Sequence, residues 1–349
     1  MRLIFSLAMP LAVAAVIQAA PLPEALPLSD KYLLDDADML AVINVKQALA
    51  SPLFKKSYEK MVTDFLKEEP ATSMLKEAAF DPLKDLDRIY GMGRSPRSKE
   101  KPGAESQLLV LQGRFDVAKL QALAEKVQKD GLLKIDIEKY GDSKVYRISG
   151  KGFPGPLYAA VLDKTHVGAA SNKNTIEDAL DKAAGKKKTA LKSKALAEMF
   201  AKFKGDESLA VLATADAIIG GAKGKLNPDG TQEIEGALRD QGVEALQVTV
   251  NVGDAIKGRT TLTVKDAATA AKIEEGIKGG IKQGITELEK MKEYPALLKA
   301  LKTVKVAVKD QTVTMEGEGD GEAVQQFFVA LLVPRTKVKP GPSTNPTKP

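Results

Sequence analysis

Cysteine and tryptophan are absent from this 349-residue chain, and histidine occurs once, at His166. Without cysteine there are no disulfides, no thiolate catalysis and no thiolate-bound zinc or iron–sulfur centre. Lipid attachment at a lipobox cysteine is excluded as well. One histidine leaves a His-rich metal site or a His-bearing triad a single residue to use, so His166 is expected to be a structural or surface residue. No Gly-rich phosphate loop of either standard form is present. The basic excess is small, +6 at neutral pH with pI ≈ 9.0. Its lysines and arginines are scattered, apart from Lys186, Lys187 and Lys188 and a basic tail, so no basic face for nucleic acid is expected.

What is present suits a folded protein. Hydrophobic residues make up 44% of the chain and charged residues 28%, with both signs interspersed. That composition supports two ordinary domains with their own cores rather than a disordered chain.

Residues 1–19 read as a secretory signal: Arg2, an apolar run from Leu3 to Ile17, then small residues. Cleavage after Ala19 avoids leaving Pro21 at the new N-terminus, although Ile17 stands where a small residue is usual. The run is too short and too poorly flanked for a membrane span. Export to a periplasm or beyond follows. Residues 20–34, with Pro21, Pro23 and Pro27, form an extended leader.

The rest of the chain repeats itself. LAVINVKQAL at Leu40–Leu49 returns as LAVLATADAI at Leu209–Ile218, an offset of 169 residues. A strand at Gln107–Gln112, then Asp116 as N-cap and a helix with Val117, Leu120, Leu123, Ala124 and Val127 inward, forms a second unit. It recurs as Arg259–Val264, Asp266 and a helix with Ala270, Ile273 and Ile277 inward, at an offset of 150. Each copy then shows a hairpin, KIDIEKYGDSKVYRI and VKVAVKDQTVTME, and a closing helix, Thr175–Ala183 and Glu322–Leu332. Between the first strand and the second unit, Ser51-Pro52 opens a helix carrying Phe54, Tyr58, Met61, Val62 and Phe65 on one face. Thr72–Ala79 is a short helix, and FDPLKDLDRIYGMG turns into a strand at Leu86–Met92. A further helix spans Ser193–Phe203.

The expected class is α+β: two tandem related units, residues 35–191 and 192–333, each a mainly antiparallel sheet with helices packed on one face. Whether the units share one sheet is left open. Residues 334–349 form a disordered Pro/Lys tail.

Four patterns invite chemistry. Asn227, Asp229, Gly230 and Glu233 have calcium-loop spacing, but Lys225 takes the first ligand position and Gly236 the last. Ser98-Lys99-Glu100-Lys101 has a Ser/Lys hydrolase spacing but lies in a polar loop, where a lysine stays protonated. Asp35, Asp36 and Asp38 cluster before a strand and suit a turn. Gly276, Gly280 and Gly284 recur every four residues beside Lys278 and Lys282, which excludes a membrane helix and leaves close packing of a helix on a sheet, ahead of a flexible hinge, as the expected gain. No catalytic, cofactor-binding or metal residue is assigned.

The signal, the Asp-rich lead into LAVINV, the FDPLKDLDRI turn and the strand–Asp–helix unit together resemble exported bacterial proteins that carry domains of unknown function. The resemblance implies an exported α+β architecture and no particular catalysis. The expected role is a non-enzymatic envelope binding or interaction protein whose partner is an unknown protein or envelope component. Two alternatives stand beside it: a carrier of a hydrophobic ligand held between sheet and helices, and a hydrolase with an unrecognised site.

Overall fold

The computed structural model describes residues 31–69, 71–94, 106–131, 133–150, 155–203, 205–222, 236, 238–290 and 294–323. The signal and tail, the Ser98–Lys101 pattern and the calcium-like loop from Asn227 to Glu233 lie outside these residues.

The first half carries β1 (Met39–Asn44), α1 (Val45–Ala50), α2 (Pro52–Ser57), α3 (Glu59–Leu66), α4 (Ala71–Glu77), α5 (Pro82–Asp85), β2 (Leu86–Arg94) and β3 (Ser106–Gly113). It continues with α6 (Val117–Lys129), β4 (Lys134–Tyr140), β5 (Ser143–Ser149), β6 (Leu157–Asp163), β7 (His166–Ala170) and α7 (Lys173–Ala183). The second half holds α8 (Lys194–Lys202), β8 (Leu209–Thr214), α9 (Ala215–Ala222), β9 (Val243–Val252) and β10 (Ile256–Val264). Then come α10 (Ala267–Lys290), α11 (Pro295–Thr303), β11 (Lys305–Lys309) and β12 (Thr312–Gly319). The starts are set locally. Ser51 accepts from Phe54 N at 3.3 Å, Asp116 from Lys119 N at 3.1 Å and Asp266 from Thr269 N at 2.7 Å. Each fills one of the donors a helix start leaves open. The helix expected to run on from Ser51 is broken at Tyr58, and Met61 ends up 58% exposed.

All the strands join one antiparallel sheet in the order β11-β12-β10-β9-β8-β1-β2-β3-β7-β6-β5-β4. The seam is β1 against β8, with Leu40 opposite Leu212 and Val42 opposite Ala210. Two backbone bonds close its ends, Asn44 N to Ser208 O and Thr214 N to Asp38 O, both 2.9 Å. These contacts relate the flanks at an offset of 170, not the 169 of the letter match. A one-residue slip would move every side chain to the opposite face. At 170, Leu40 and Val42 answer to Ala210 and Leu212, all buried on one face.

Outward from the seam the flanks run alike, β1-β2-β3-β7-β6 on one side and β8-β9-β10-β12-β11 on the other. Asp87 is left over between Leu86↔Gly113 and Arg88↔Gln112, and Glu244 is left over at the corresponding place beside Val243↔Val264. The pair Gly113 N to Thr165 O (2.8 Å) and Arg114 N to Asp85 O (2.8 Å) is matched by Val264 N to Gln311 O (2.9 Å) and Lys265 N to Gly242 O (3.0 Å). In this order β11 and β12 take the places of β6 and β7. The hairpin β4–β5, expected as their counterpart, is an addition to the first flank.

Helices cover both faces, where one was expected. Strand alternation sends Leu108 and Val110 to one face and Leu109 and Leu111 to the other. The first pair packs under α7 with Ile176 and Leu180, in a core that continues to Leu196 and Met199 of α8 over β8 and β9. The second pair joins Val45, Leu49, Phe54 and Val62 beneath α1, α2 and α3. A nearly continuous apolar strand such as LLVL is what burial on both faces demands. On that second face α6 covers Ile135 and Tyr146, and α10 covers Val264 and Val313. Gly168 lets α7 approach closely, since a Cβ there would stand 3.0 Å from Ile176 Cδ1.

The glycine stripe does not pack as expected. A Cβ at Gly276 or Gly280 would meet nothing within 4 Å, and only Gly284 faces a neighbour, Leu301 Cδ2 at 3.2 Å. The buried side of α10 is set instead by Ala270 and Ile273.

Candidate functional site

The segment from Lys31 to Asp38 is a strap across the first face. Tyr32, Leu33, Leu34 and Ala37 are 3–4% exposed and belong to the main core, although composition placed the first three in an extended leader. Lys182 on α7, 1% exposed, holds the strap by donating to Leu33 O at 2.7 Å and Asp35 Oδ1 at 2.9 Å, and it also pairs with Asp178 at 2.7 Å. Asp35 Oδ1 further accepts from Ala190 N at 3.1 Å, and Asp36 pairs with Arg94 at 3.2 Å. Asp35 and Asp36, suspected of forming a cluster with Asp38, therefore face different partners. Among the described residues no three His, Cys, Asp or Glu side chains gather as a metal site.

His166 sits at the start of β7, 8% exposed, under the strap. Its ring lies 5.0 Å from that of Tyr32, whose hydroxyl donates to Asp163 Oδ2. Asp163 Oδ1 is 2.9 Å from His166 Nδ1, and Thr165 Oγ1 is 3.0 Å from the same nitrogen. Burial and the bond to Asp163 push the Tyr32 phenol far above its ordinary range. Burial alone would raise Asp163, but Tyr32, the Thr165 amide and His166 together hold it well below the usual carboxylate value. The trio has triad-like residue types without triad geometry. A relay needs carboxylate and hydroxyl on opposite ring nitrogens, whereas here both crowd Nδ1. Nε2 is buried, with no hydrogen-bond partner among the described residues. The cluster ties strap to sheet.

The open region lies elsewhere on the same face. The core crosses the seam as far as Ala210, Leu212 and Ala245, and past them the positions that carry it in the first flank become polar. Asn251, Lys257 and Glu318 form one cross-strand row, and Thr249, Arg259 and Glu316 the next. Arg259 reaches Glu316 at 2.7 Å and Lys257 reaches Glu318 at 3.8 Å, with all four side chains exposed. A groove of about 920 Å³ runs over these strands, bordered by Lys202, Glu207 and Lys302. Burial pushes the Glu207 carboxyl up, and its Oε2 is enclosed with no partner among the described residues. A smaller groove of about 570 Å³ lies beside the strap, lined by Asp35, Asp36, Ser106, Asn172, Lys173 and Lys192. Neither groove has mainly apolar walls, and both are bordered mostly by residues that carry donors and acceptors.

Reasoning from the sequence missed this face. The strand at Arg259–Val264 was legible, but nothing local says that its polar side stays uncovered.

Among the described residues no helix is long and apolar enough to cross a membrane. Residues 54–250 match a family described as protein of unknown function (DUF3352). No curated protein matches the chain. Three crystal forms of TP0453 resemble the fold: form III at TM-score 0.47 and 10% identity, form I at 0.47 and 11%, form IV at 0.48 and 9%. Each covers 87% of this chain and 97–98% of the other.

Proposed function

The chain belongs to the DUF3352 family, and on that premise we propose that it is an exported, non-enzymatic binding module of the cell envelope, built from two copies of one sheet-and-helix unit. The copies are assigned to residues 35–191 and 192–333. What supports them is the shared strand order, the bulge at Asp87 and Glu244, and the paired backbone bonds beyond it. The matched family region itself runs from α2 across the seam into β9, so it takes in parts of both.

The observation that carries the binding reading is the difference between the flanks. One sheet face is apolar and roofed by α7 over the first flank and by α8 over β8 and the start of β9, and turns polar and open over β10, β12 and the end of β9. A comb of exposed amide and paired charged groups around the buried Thr249 suits a polar ligand, such as an envelope glycan or a protein surface. It favours that class over a hydrophobic ligand, which would need mostly apolar walls. A hydrolase reading has less support, because the most shifted groups, Tyr32 and Asp163, serve a contact beneath the strap.

Calorimetric titration with soluble envelope glycan fragments, and separately with phospholipid vesicles, tests the proposal. Glycan binding that is lost when Arg259 and Gln247, which lies opposite Thr261 in the same groove, are both changed to Ala is the expected result. Vesicle binding that survives the same changes would overturn it in favour of the hydrophobic carrier. The intact mass of protein recovered from the cell exterior or periplasm tests export, with Ala20 as the expected first residue.

A further inference from the structure

Among the described residues β4 and β11 pair on one side only, so each leaves a row of backbone groups open at an end of the sheet. Their side chains are complementary. On the first face β4 carries Asp136 and Glu138, and β11 carries Lys305 and Lys309 on either side of Ala307. On the second face β4 carries Ile135 and Ile137, already roofed by α6, and β11 carries Val306 and Val308, roofed by α10. The ladder directions also agree. Every neighbouring pair is antiparallel, so the two end strands run in opposite senses, and setting β4 of one copy beside β11 of the next continues the pattern with faces preserved.

We infer that a second copy of this chain is the partner of these edges, adding β4 to β11 head to tail. With Ile135 opposite Val308 and Ile137 opposite Val306, Glu138 meets Lys305 and Asp136 lies opposite Ala307, diagonal to both lysines. Lys134 falls opposite Lys309, the one unfavourable pair in this register. Asp136 already holds Arg147 at 2.8 Å and Glu138 already holds Lys173, so the incoming lysines join existing networks rather than bare charges. The comparison of the flanks points the same way. In the first flank the strand equivalent to β11, which is β6, carries the β4–β5 hairpin on its outer side. In the second flank that place is open. A contact of this kind repeats without closing, and its short strands and exposed charges make it weak and salt-sensitive. The inference is independent of the polar groove.

Sedimentation velocity of purified protein over a concentration series is the test. The expected result is a mass-average that climbs past the dimer without a plateau and falls back in high salt. Lys305→Glu/Lys309→Glu and Asp136→Lys/Glu138→Lys should each be folded by circular dichroism and monomeric alone, because each variant presents like-charged edges. Mixing the two restores opposite charges at every junction and should restore association. A monomeric wild type at every concentration would overturn the inference, and so would association that survives both reversals or a mixture that stays monomeric.

Discussion

Lys182 reaches Asp35 across 147 positions of sequence, Nζ to Oδ1 at 2.9 Å, and so fastens the strap to the last helix of the first flank. The ammonium is almost wholly enclosed, while Asp35 and Asp178 remain about a third and a quarter exposed on their side chains. Removing one partner of a buried pair costs more than the pair contributes, because the other is left uncompensated.

Lys182→Met is therefore expected to destabilise the fold by about 3 kcal/mol, the low end for breaking a buried pair given the partly wet carboxylates. Urea denaturation measures the loss. Asp35→Asn, which keeps a side-chain oxygen for Lys182, should lose less than half as much. Negligible losses in both variants would show that the strap depends on apolar burial alone.

The strap also carries a pH dependence. The Asp163 carboxyl is held below its ordinary value in the fold, so its contribution is complete above about pH 4, the unfolded value, and is lost as pH falls below it. The Tyr32 phenol is raised, so its contribution is complete below about pH 10 and is lost as pH climbs beyond. Urea midpoints taken from pH 7 down to pH 3 should fall more steeply for wild type than for Asp163→Asn. From pH 9 to pH 11 the wild type should lose stability that Tyr32→Phe lacks from the outset. Parallel curves in either window would remove that residue from the account.

How far the fold could be read in advance follows from the range of each interaction. The caps at Ser51, Asp116 and Asp266 were legible because the acceptor and the amide it serves stand three residues apart. The Lys182–Asp35 pair left no local trace, since a lysine on an amphipathic helix looks alike whether it meets water or a carboxylate. The repeat was visible in LAVINV and LAVLAT, but letters alone favoured a frame that exchanges the two faces, and only pairing with a neighbour strand fixes which face is which. Likewise, α10 has glycines at helical spacing, yet the choice of buried face was made by Ala270 and Ile273 against the sheet.

Gly280 and Gly284 then separate two effects that spacing alone confuses. Gly280 faces open space, so Gly280→Ala should stabilise the protein by about 0.5–1 kcal/mol through helix propensity. At Gly284 a Cβ already lies 3.2 Å from Leu301 Cδ2, and Gly284→Leu should cost about 1–3 kcal/mol by overpacking. Opposite shifts in melting temperature are the signature, and two shifts of the same sign would contradict the placement of α10.

Gly113 offers the sharpest contrast between the flanks. A Cβ there would lie 2.2 Å from Asp85 O, a backbone atom that cannot swing aside as a side chain can. The same oxygen accepts from Arg114 N at 2.8 Å, so relief of the clash would break a bond that fixes the bulge. In the other flank Val264 takes this position and is fully buried, beside a Lys265 N to Gly242 O bond of 3.0 Å. Equivalent pairing thus tolerates a branched side chain in one flank and excludes a methyl group in the other. Gly113→Ala should lower stability by more than about 3 kcal/mol, beyond the usual range for a single substitution. Val264→Ala should instead cost about 1–2 kcal/mol, the loss of buried methyl groups. Chemical denaturation of the two variants decides the point: a Gly113→Ala loss no larger than that of Val264→Ala would mean that the approach of β3 to Asp85 is looser than the backbone geometry requires.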